Sequence, residues 1–565
     1  MTRVSAGTRS TQERGSSGPA VRQEVPSRDV QLSYGAPRAA QTAAVGYAAA
    51  EESPRSLRLL EPLAVAGHGL SLAPATAAAG SGRHRRKDVS SRRARQAPSG
   101  LVRQHLTALT GLLVLASAAI AWYLLDLPLL PAIMVVVTAF NLMVSGLEAR
   151  WRLYRWRTPE AAAQMAWPLP LAPSQESLTF SLIVPARHEA DVIGDTLRRL
   201  LKQDHQAFEI IVSLCADDPA TISVVRGVIA EFPHRAISLV TESYLSPSKP
   251  QQLNTALRSC AGDIVGVIDA EDDVAPGLLT HVEALFAESG AAVVQGGVQL
   301  MNLGRGLSQW FQVHNVLEYF FWFTSRMSYQ ANAGFVPLGG NTVFVHRNLL
   351  TAAEGWPLSL TEDCALGVLL ATKFGAKVAT AYSAELATRE ESPPSIFNKS
   401  LGSLFWQRDR WIRGFLAEFM DGKWLRMPTW RQRFMAGYIL ATPFFQAISF
   451  LLLPFAVVVA VAVRTPIAVT MLTFTPVLPI GLTLLSQLTG LRAFGQMYGQ
   501  RPSCWHYASV LILAPAYQML LASAAAVATY KYFSGDTTWY KTGRAGAHRE
   551  EQPIAAEPAL QGMSA

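Results

Sequence analysis

Apolar residues recur along this chain in different rhythms, and each rhythm predicts a different kind of element. Between residues 106 and 147 they are almost unbroken. Residues 106–125 form a charge-free run of 20, about 30 Å long as a helix and so matched to the hydrocarbon core of a bilayer. Asp126 and Pro128 interrupt it, and residues 129–147 supply a second run. Two spans on so short a link predict a helical hairpin. From residue 158 to 433 short β-rich runs alternate with helical spacing. Residues 180–184, 208–214, 236–241 and 264–268 predict strands, while residues 191–203 put Ile193, Leu197, Leu200 and Leu201 on one side of a helix. Strands alternating with helices predict a mainly parallel sheet covered on both faces, which binds ligands at the carboxyl ends of its strands. The near-continuous apolar rhythm returns in 434–463, 465–491 and 505–530. That predicts about three further spans, five or six in all, with Pro443 a possible division of the first block.

Composition agrees with a membrane protein. Charged residues make up 16% and hydrophobic ones 50% of the 565 residues, with a mean hydropathy of +0.19; a typical soluble protein has about 25% charge. A fully disordered chain and an ordinary cytosolic enzyme are both excluded. The net charge of +8 is local. Arg83, Arg85, Arg86, Lys87, Arg92, Arg93, Arg95 and Arg103 precede the first span, and Arg150, Arg152, Arg155 and Arg157 follow the second. Arginines at both ends of a hairpin place both ends in the cytosol, against anionic lipid headgroups. No aromatic-plus-basic stacking module accompanies them, so nucleic acid is not expected as a partner. The four cysteines, Cys215, Cys260, Cys364 and Cys504, form no CxxC or Cys/His cluster, so packing is their expected role.

The organisation expected is therefore a disordered basic cytosolic tail (1–100), a transmembrane hairpin (101–157), a soluble α/β domain (158–433), C-terminal transmembrane helices (434–533) and a tail (534–565). The protein is expected in the plasma (inner) membrane, with its α/β domain cytosolic.

Two predicted strands end in acid. Residues 208–214 lead into Asp217 and Asp218, and residues 264–268 into Asp269, Glu271, Asp272 and Asp273. So many carboxylates in so few positions repel one another, and a divalent cation offsets that repulsion. Hard oxygen donors of this kind suit Mg²⁺ or Mn²⁺ bridging a diphosphate. The plainer reading, helix capping, stays open, above all for Asp217–Asp218 and for Thr361-Glu362-Asp363 ahead of its apolar helix. Further on, Gln407, Arg410 and Trp411 stand at i, i+3 and i+4, on one helix face. Guanidinium binds phosphate bidentately and indole offers a plate to a sugar ring. An amphipathic helix at the membrane surface would show the same spacing.

Pro185-Ala-Arg-His-Glu189, Ala216-Asp217-Asp218, Lys249-Pro-Gln-Gln-Leu-Asn254, Asp269-Ala-Glu271-Asp272, Gly339-Gly340-Asn341, Thr361-Glu362-Asp363 and Gln407-Arg408-Asp409-Arg410-Trp411 occur in this order. The series resembles membrane-integrated family 2 glycosyltransferases, the group of the cellulose, hyaluronan and chitin synthases, across residues 181–413. The resemblance implies an α/β GT-A (Rossmann-like) cytosolic domain beside α-helical transmembrane segments. It implies a nucleotide-sugar donor, UDP-linked in preference to GDP-linked, and Mg²⁺ or Mn²⁺ as cofactor. By the same likeness Glu189, Asp217 and Lys249 would bind the donor, and Asp269 with Glu271 or Asp272 would hold donor and metal. Asp363 would be the general base, with Glu362 beside it at the acceptor; Gln407 and Arg410 would hold the diphosphate and Trp411 the acceptor sugar.

The expected activity is inverting, metal-dependent transfer to a growing β-linked glycan. The alternatives are transfer of one sugar to a lipid-linked or other membrane acceptor, and a non-catalytic scaffold. The chain departs from the resemblance at Asp269-Ala-Glu271, where DxD is usual, and at His188, where Asn is usual. It also lacks the FxVTxK-like gating segment of cellulose synthases and an appended cyclic-dinucleotide-binding module, which counts against cellulose as product.

Overall fold

The computed structural model describes residues 178–244, 247–380, 382–399, 403–462 and 477–536, parts of 136–152, and Arg549; for 449–462, 477 and 478 it describes the backbone alone. The expected N-terminal tail, the first span and most of the second lie outside the described residues.

The heart of the fold is a seven-stranded sheet in the order β3-β2-β1-β4-β7-β5-β8. Its members are β1 (Phe180–Ala186), β2 (Phe208–Cys215), β3 (Ile237–Glu242), β4 (Ile264–Val267), β5 (Val293–Gln295), β7 (Val343–His346) and β8 (Val378–Thr380). A second, two-stranded sheet pairs β6 (Val298–Leu300) with β9 (Thr388–Glu390). The four strands read from sequence are present within a residue or two of their expected limits. The sheet is not wholly parallel, however: β7 runs antiparallel to both neighbours, β4 and β5. This reversal matters for the site, because Val343 at the start of β7 pairs with Val267 at the end of β4. The segment entering β7 therefore arrives at the same sheet edge as the segments leaving β1, β2 and β4.

Strand alternation separates two apolar cores. Phe180, Leu182 and Val184 of β1 join Ile210, Val212 and Leu214 of β2 in one cluster, whereas Ile183 and Ile211 point to the other. Helices cover both faces, so β1 reads as a continuous buried run. On the first face lie α1 (Ile193–Leu200), α2 (Pro219–Glu231) and α4 (Leu278–Ser289); on the second lie α3 (Lys249–Leu257), α7 (Arg347–Ala352) and α8 (Glu362–Leu369). Gly266 in β4 makes room for the Phe344 ring, since a Cβ there would stand 2.7 Å from it. Between the sheets and the remaining helices, α5 (Trp310–Phe321) passes through a π-turn (Trp322–Arg326) into α6 (Met327–Asn332).

The carboxyl-terminal half is helical: α9 (Leu404–Asp421), α10 (Trp430–Ala462), α11 (Val477–Met497), α12 (Cys504–Ile512) and α13 (Ala514–Ser534). Pro443 does not divide its block; α10 runs through it. The block 505–530, expected as one span, is broken at Leu513 into α12 and α13, bent by 57°. Pro515, in the first turn of α13, explains the break, since it lacks the N–H that would continue α12 and its ring clashes with the preceding turn. Among the described residues no single helix is long and apolar enough to cross a membrane, although this bent pair together is.

Several contacts fix α9 against the rest. Asp409, fully buried, accepts from Arg413 at 3.0 Å and from Lys531 of α13 at 3.2 Å, and Arg413 donates to the Asp536 carbonyl. On another face Gly414 meets Thr361, just ahead of α8: a Cβ at Gly414 would lie 2.3 Å from Thr361 Oγ1 and 2.4 Å from its Cγ2. Gly414→Ala is therefore expected to cost about 1–3 kcal/mol by overpacking and to lower activity as α9 and α8 are pushed apart. Thermal melting in detergent checks this; an unchanged melting temperature would contradict the close approach.

Candidate active site

The residues singled out in the sequence gather where the strand geometry directs them. Lys249, in the first turn of α3, donates from Nζ to Asp269 Oδ1 at 2.5 Å and to the Gly340 carbonyl at 2.7 Å. Its Nζ also stands 3.9 Å from Glu362 Oε1. Gly340 belongs here because it has no side chain: a Cβ would lie 3.2 Å from Asp363 Oδ2 and 3.4 Å from Lys249 Nζ. One ammonium thus links the end of β4, the approach to β7 and the first turn of α8. Burial works against its charge, but Asp269 and Glu362 outweigh burial and hold it protonated well above the ordinary lysine range.

Glu362 and Asp363 open α8, where the positive helix end favours anions. Thr361 occupies the capping position without using its side chain; its hydroxyl is buried and has no partner among the described residues. Burial raises both acids. Glu362 is pushed up to about 7, first by burial and then by the Asp363 carboxylate, with Lys249 and Arg410 opposing. Burial likewise lifts Asp363, against the Cys364 N–H that donates to it at 2.7 Å and the charges of Lys249 and Arg410. Arg410 therefore acts electrostatically on both, and α9 is brought into the site.

On α9, Gln407, Arg410 and Trp411 share a face of one continuous helix, as their spacing predicts. Gln407 is buried, and its Oε1 has no partner among the described residues. The Arg408 guanidinium stacks 4.6 Å from the centre of the Trp411 ring. It is itself fixed by Asn315 at 2.7 Å and Glu318 at 3.0 Å, both on α5. Sequence reasoning assigned Arg408 no role; only the fold brings α5 beside it.

Asp272 departs from the part expected of it. Its carboxylate is fully buried, accepts from the Asn341 amide at 3.0 and 3.1 Å, and accepts the Asp269 N–H at 2.8 Å. Burial, then the nearby Glu390, raises its pKa far above the usual carboxylate range. Asp272 shapes the loop from inside. Asp269, Glu271 and Asp273 are half-buried carboxylates of that loop; Arg199 engages Asp273 at 2.7 Å, and Asp269 and Glu271, as two hard donors, suit a cation that keeps water and substrate phosphate as its other ligands. Among the described residues no group of three acids, histidines or cysteines forms a fuller metal cage.

Glu189 and Asp217 lie at the same sheet edge, beyond β1 and β2, and their described contacts do not join the Lys249 cluster. Asp217 is exposed and accepts from Arg187 at 3.0 Å; the Glu189 N–H donates to Thr221 Oγ1 at 3.1 Å. Asp218 takes the capping role: it accepts from Thr221 N at 3.3 Å ahead of Pro219, and from the His188 N–H at 2.5 Å. That last bond holds His188 at a φ of 54°, a conformation uncommon without glycine and often found beside binding sites.

The beta-monoglucosyldiacylglycerol synthases of Trichormus variabilis and Synechocystis sp. are each 26% identical to the chain, over 251 residues (44% of this chain, 51% of the relative) and 257 residues (42% and 48%). The chain spans about half the length of the curated relatives it matches. Among solved structures, the mannosyltransferase PcManGT from Pyrobaculum calidifontis, in complex with GDP-Man and Mn²⁺, has a TM-score of 0.44 at 21% identity, covering 68% of this chain and 98% of that one. S. aureus TarS 1–349 gives a TM-score of 0.34 at 17% identity, with 63% and 92% covered. Residues 177–414 match the family model described as glycosyltransferase like family 2.

Proposed function

We propose that this glycosyltransferase moves a single sugar from a nucleoside-diphosphate donor to the hydroxyl of a membrane lipid, inverting the anomeric carbon. The observation that carries the reading is the Lys249 cluster. One half-buried ammonium gathers Asp269, Gly340 and Glu362, with Asp363 beside them, inside the region matched by the family model. The sequence points first to a growing glycan as acceptor. The activity for which the curated relatives are named, synthesis of a beta-monoglucosyldiacylglycerol, supports a lipid hydroxyl instead.

Asp363 takes the proton from the acceptor hydroxyl, and its raised pKa makes it a stronger base than an ordinary carboxylate. The hydroxyl oxygen attacks the anomeric carbon from the face opposite the diphosphate, so an α-linked donor yields a β-glycoside. Lys249 and Arg410 stabilise the charge left on the departing diphosphate. The unpartnered Gln407 Oε1 accepts from a donor hydroxyl, and Trp411, braced by Arg408, offers the acceptor a flat apolar surface. Asp269 and Glu271 would hold a divalent cation, Mg²⁺ or Mn²⁺, which supplies further positive charge at the diphosphate when bound.

On this reading the site works at the cytosolic face of the plasma membrane. Large apolar side chains exposed on the carboxyl-terminal helices support contact with lipid, among them Trp430, Phe434, Ile512, Tyr530 and Phe533, as do the arginines flanking the first apolar runs.

Asp363→Asn should lower kcat by about 10²–10⁴-fold, the usual worth of a general base, while donor affinity by calorimetry stays near wild type. Undiminished turnover would remove Asp363 as the base. In the wild-type enzyme kcat/KM should fall with acid along a limb set above the ordinary aspartate value, since Asp363 must be ionised to act. The Asp363 carboxylate, after burial, is what lifts Glu362 to about 7, so Asp363→Asn should bring the Glu362 titration to lower pH, read by NMR of its labelled carboxyl; an unmoved Glu362 would contradict the coupling of the two acids. Supplied with UDP- or GDP-sugars and diacylglycerol vesicles, the protein should yield a lipid bearing one sugar. A water-soluble polymer instead would return the acceptor to a growing glycan.

A further inference from the structure

Arg549 lies in the segment that the sequence sets aside as a tail, yet its side chain makes four hydrogen bonds inside the catalytic domain. Its guanidinium donates from Nη1 to the Val192 carbonyl at 3.0 Å. From Nη2 it donates to Thr196 Oγ1 at 2.5 Å and to the carbonyls of Glu271 at 3.0 Å and Asp272 at 3.2 Å. The Thr196 hydroxyl in turn donates to the Ala270 carbonyl at 2.5 Å. The carbonyls of three consecutive residues, 270 to 272, are thereby tied to the first turn of α1, two of them through Arg549 itself.

These residues are the middle of the acidic loop, whose two ends have other anchors. Asp269 is held by Lys249, and Asp273 exchanges backbone hydrogen bonds of 3.0 and 2.9 Å with Arg389. Between these ends the Asp272 N–H closes a turn on the Asp269 carbonyl at 3.2 Å, and Arg549 ties the Glu271 and Asp272 carbonyls of that turn to the helix beside it. An arginine suits this place because its planar fork reaches several carbonyls at once. Its charge also lies beneath a run of acids that repel one another.

We infer that Arg549 is a positioning residue: it clamps the backbone of the Asp269–Asp273 loop from below and so sets the direction in which Glu271 faces the donor diphosphate. The inference rests on the reading of Asp269 and Glu271 as donor-binding groups, but the clamp itself is measurable without it. Arg549→Ala in the full chain should speed amide exchange across residues 270–273 and 192–196 and weaken binding of uridine or guanosine diphosphate by on the order of tenfold, as loss of an outer support does at comparable sites. Arg549→Lys, which keeps the charge without the fork, should restore affinity only in part. Melting temperature should stay near wild type. Unchanged exchange in Arg549→Ala would overturn the clamp; faster exchange with unchanged diphosphate affinity would overturn its role in positioning. A wild-type protein that binds no nucleoside diphosphate would instead overturn the donor reading.

Discussion

Acids from distant parts of the chain can share a cleft only when a cation stands among them, and here that cation is the Lys249 ammonium. It touches Asp269 in the loop after β4 and the carbonyl of Gly340, and lies within ion-pair distance of Glu362 from α8. Like charges brought this close in a partly desolvated place would otherwise drive one another to the neutral form. The raised pKa values of Glu362 and Asp363 show that the compensation is partial. Such incomplete compensation is useful: a carboxylate lifted toward neutrality is a better base, and an ammonium already surrounded by anions is ready to exchange one of them for phosphate.

The fold serves this constraint at each level. Parallel strands deliver three acid-bearing loops to one edge, and the reversed β7 brings Gly340 and Asn341 to the same place. Asn341 then spends its side chain on Asp272 and Glu390, turning one acid of the loop into an internal strut. Gly414 lets α9 approach α8 closely enough for Arg410 to be felt by both acids there. The Asp409–Arg413–Lys531 network ties α9 to α13, so the face bearing Gln407 and Trp411 is set by the carboxyl-terminal helices as well as by the α/β domain.

Much of this was legible in the sequence, for identifiable reasons. Strands β1, β2 and β4 are apolar runs flanked by turns and acids, and β1 is buried on both faces, so composition marks it without ambiguity. Strands β5 and β8, of three residues each, are too short to carry a period, and no local signal records that β7 runs backwards. The shared face of Gln407, Arg410 and Trp411 followed from helical spacing alone. Glu271 and Asp272 differ by one position and one methylene, and what separates them is Asn341, far away in the chain. Arg408 was missed as a partner of Trp411 because its orientation depends on Asn315 and Glu318 of another helix. Arg549, among residues without pattern, had no local signal to reveal it.

The most direct measurement of the central claim is calorimetric titration of uridine and guanosine diphosphates into wild-type protein and Lys249→Met, with circular dichroism to establish that both are folded. If the ammonium organises the cleft and receives the diphosphate, the wild type binds one of the two and the variant loses at least tenfold in affinity, roughly the worth of one charge-assisted hydrogen bond. Equal affinity in a folded variant would contradict the account.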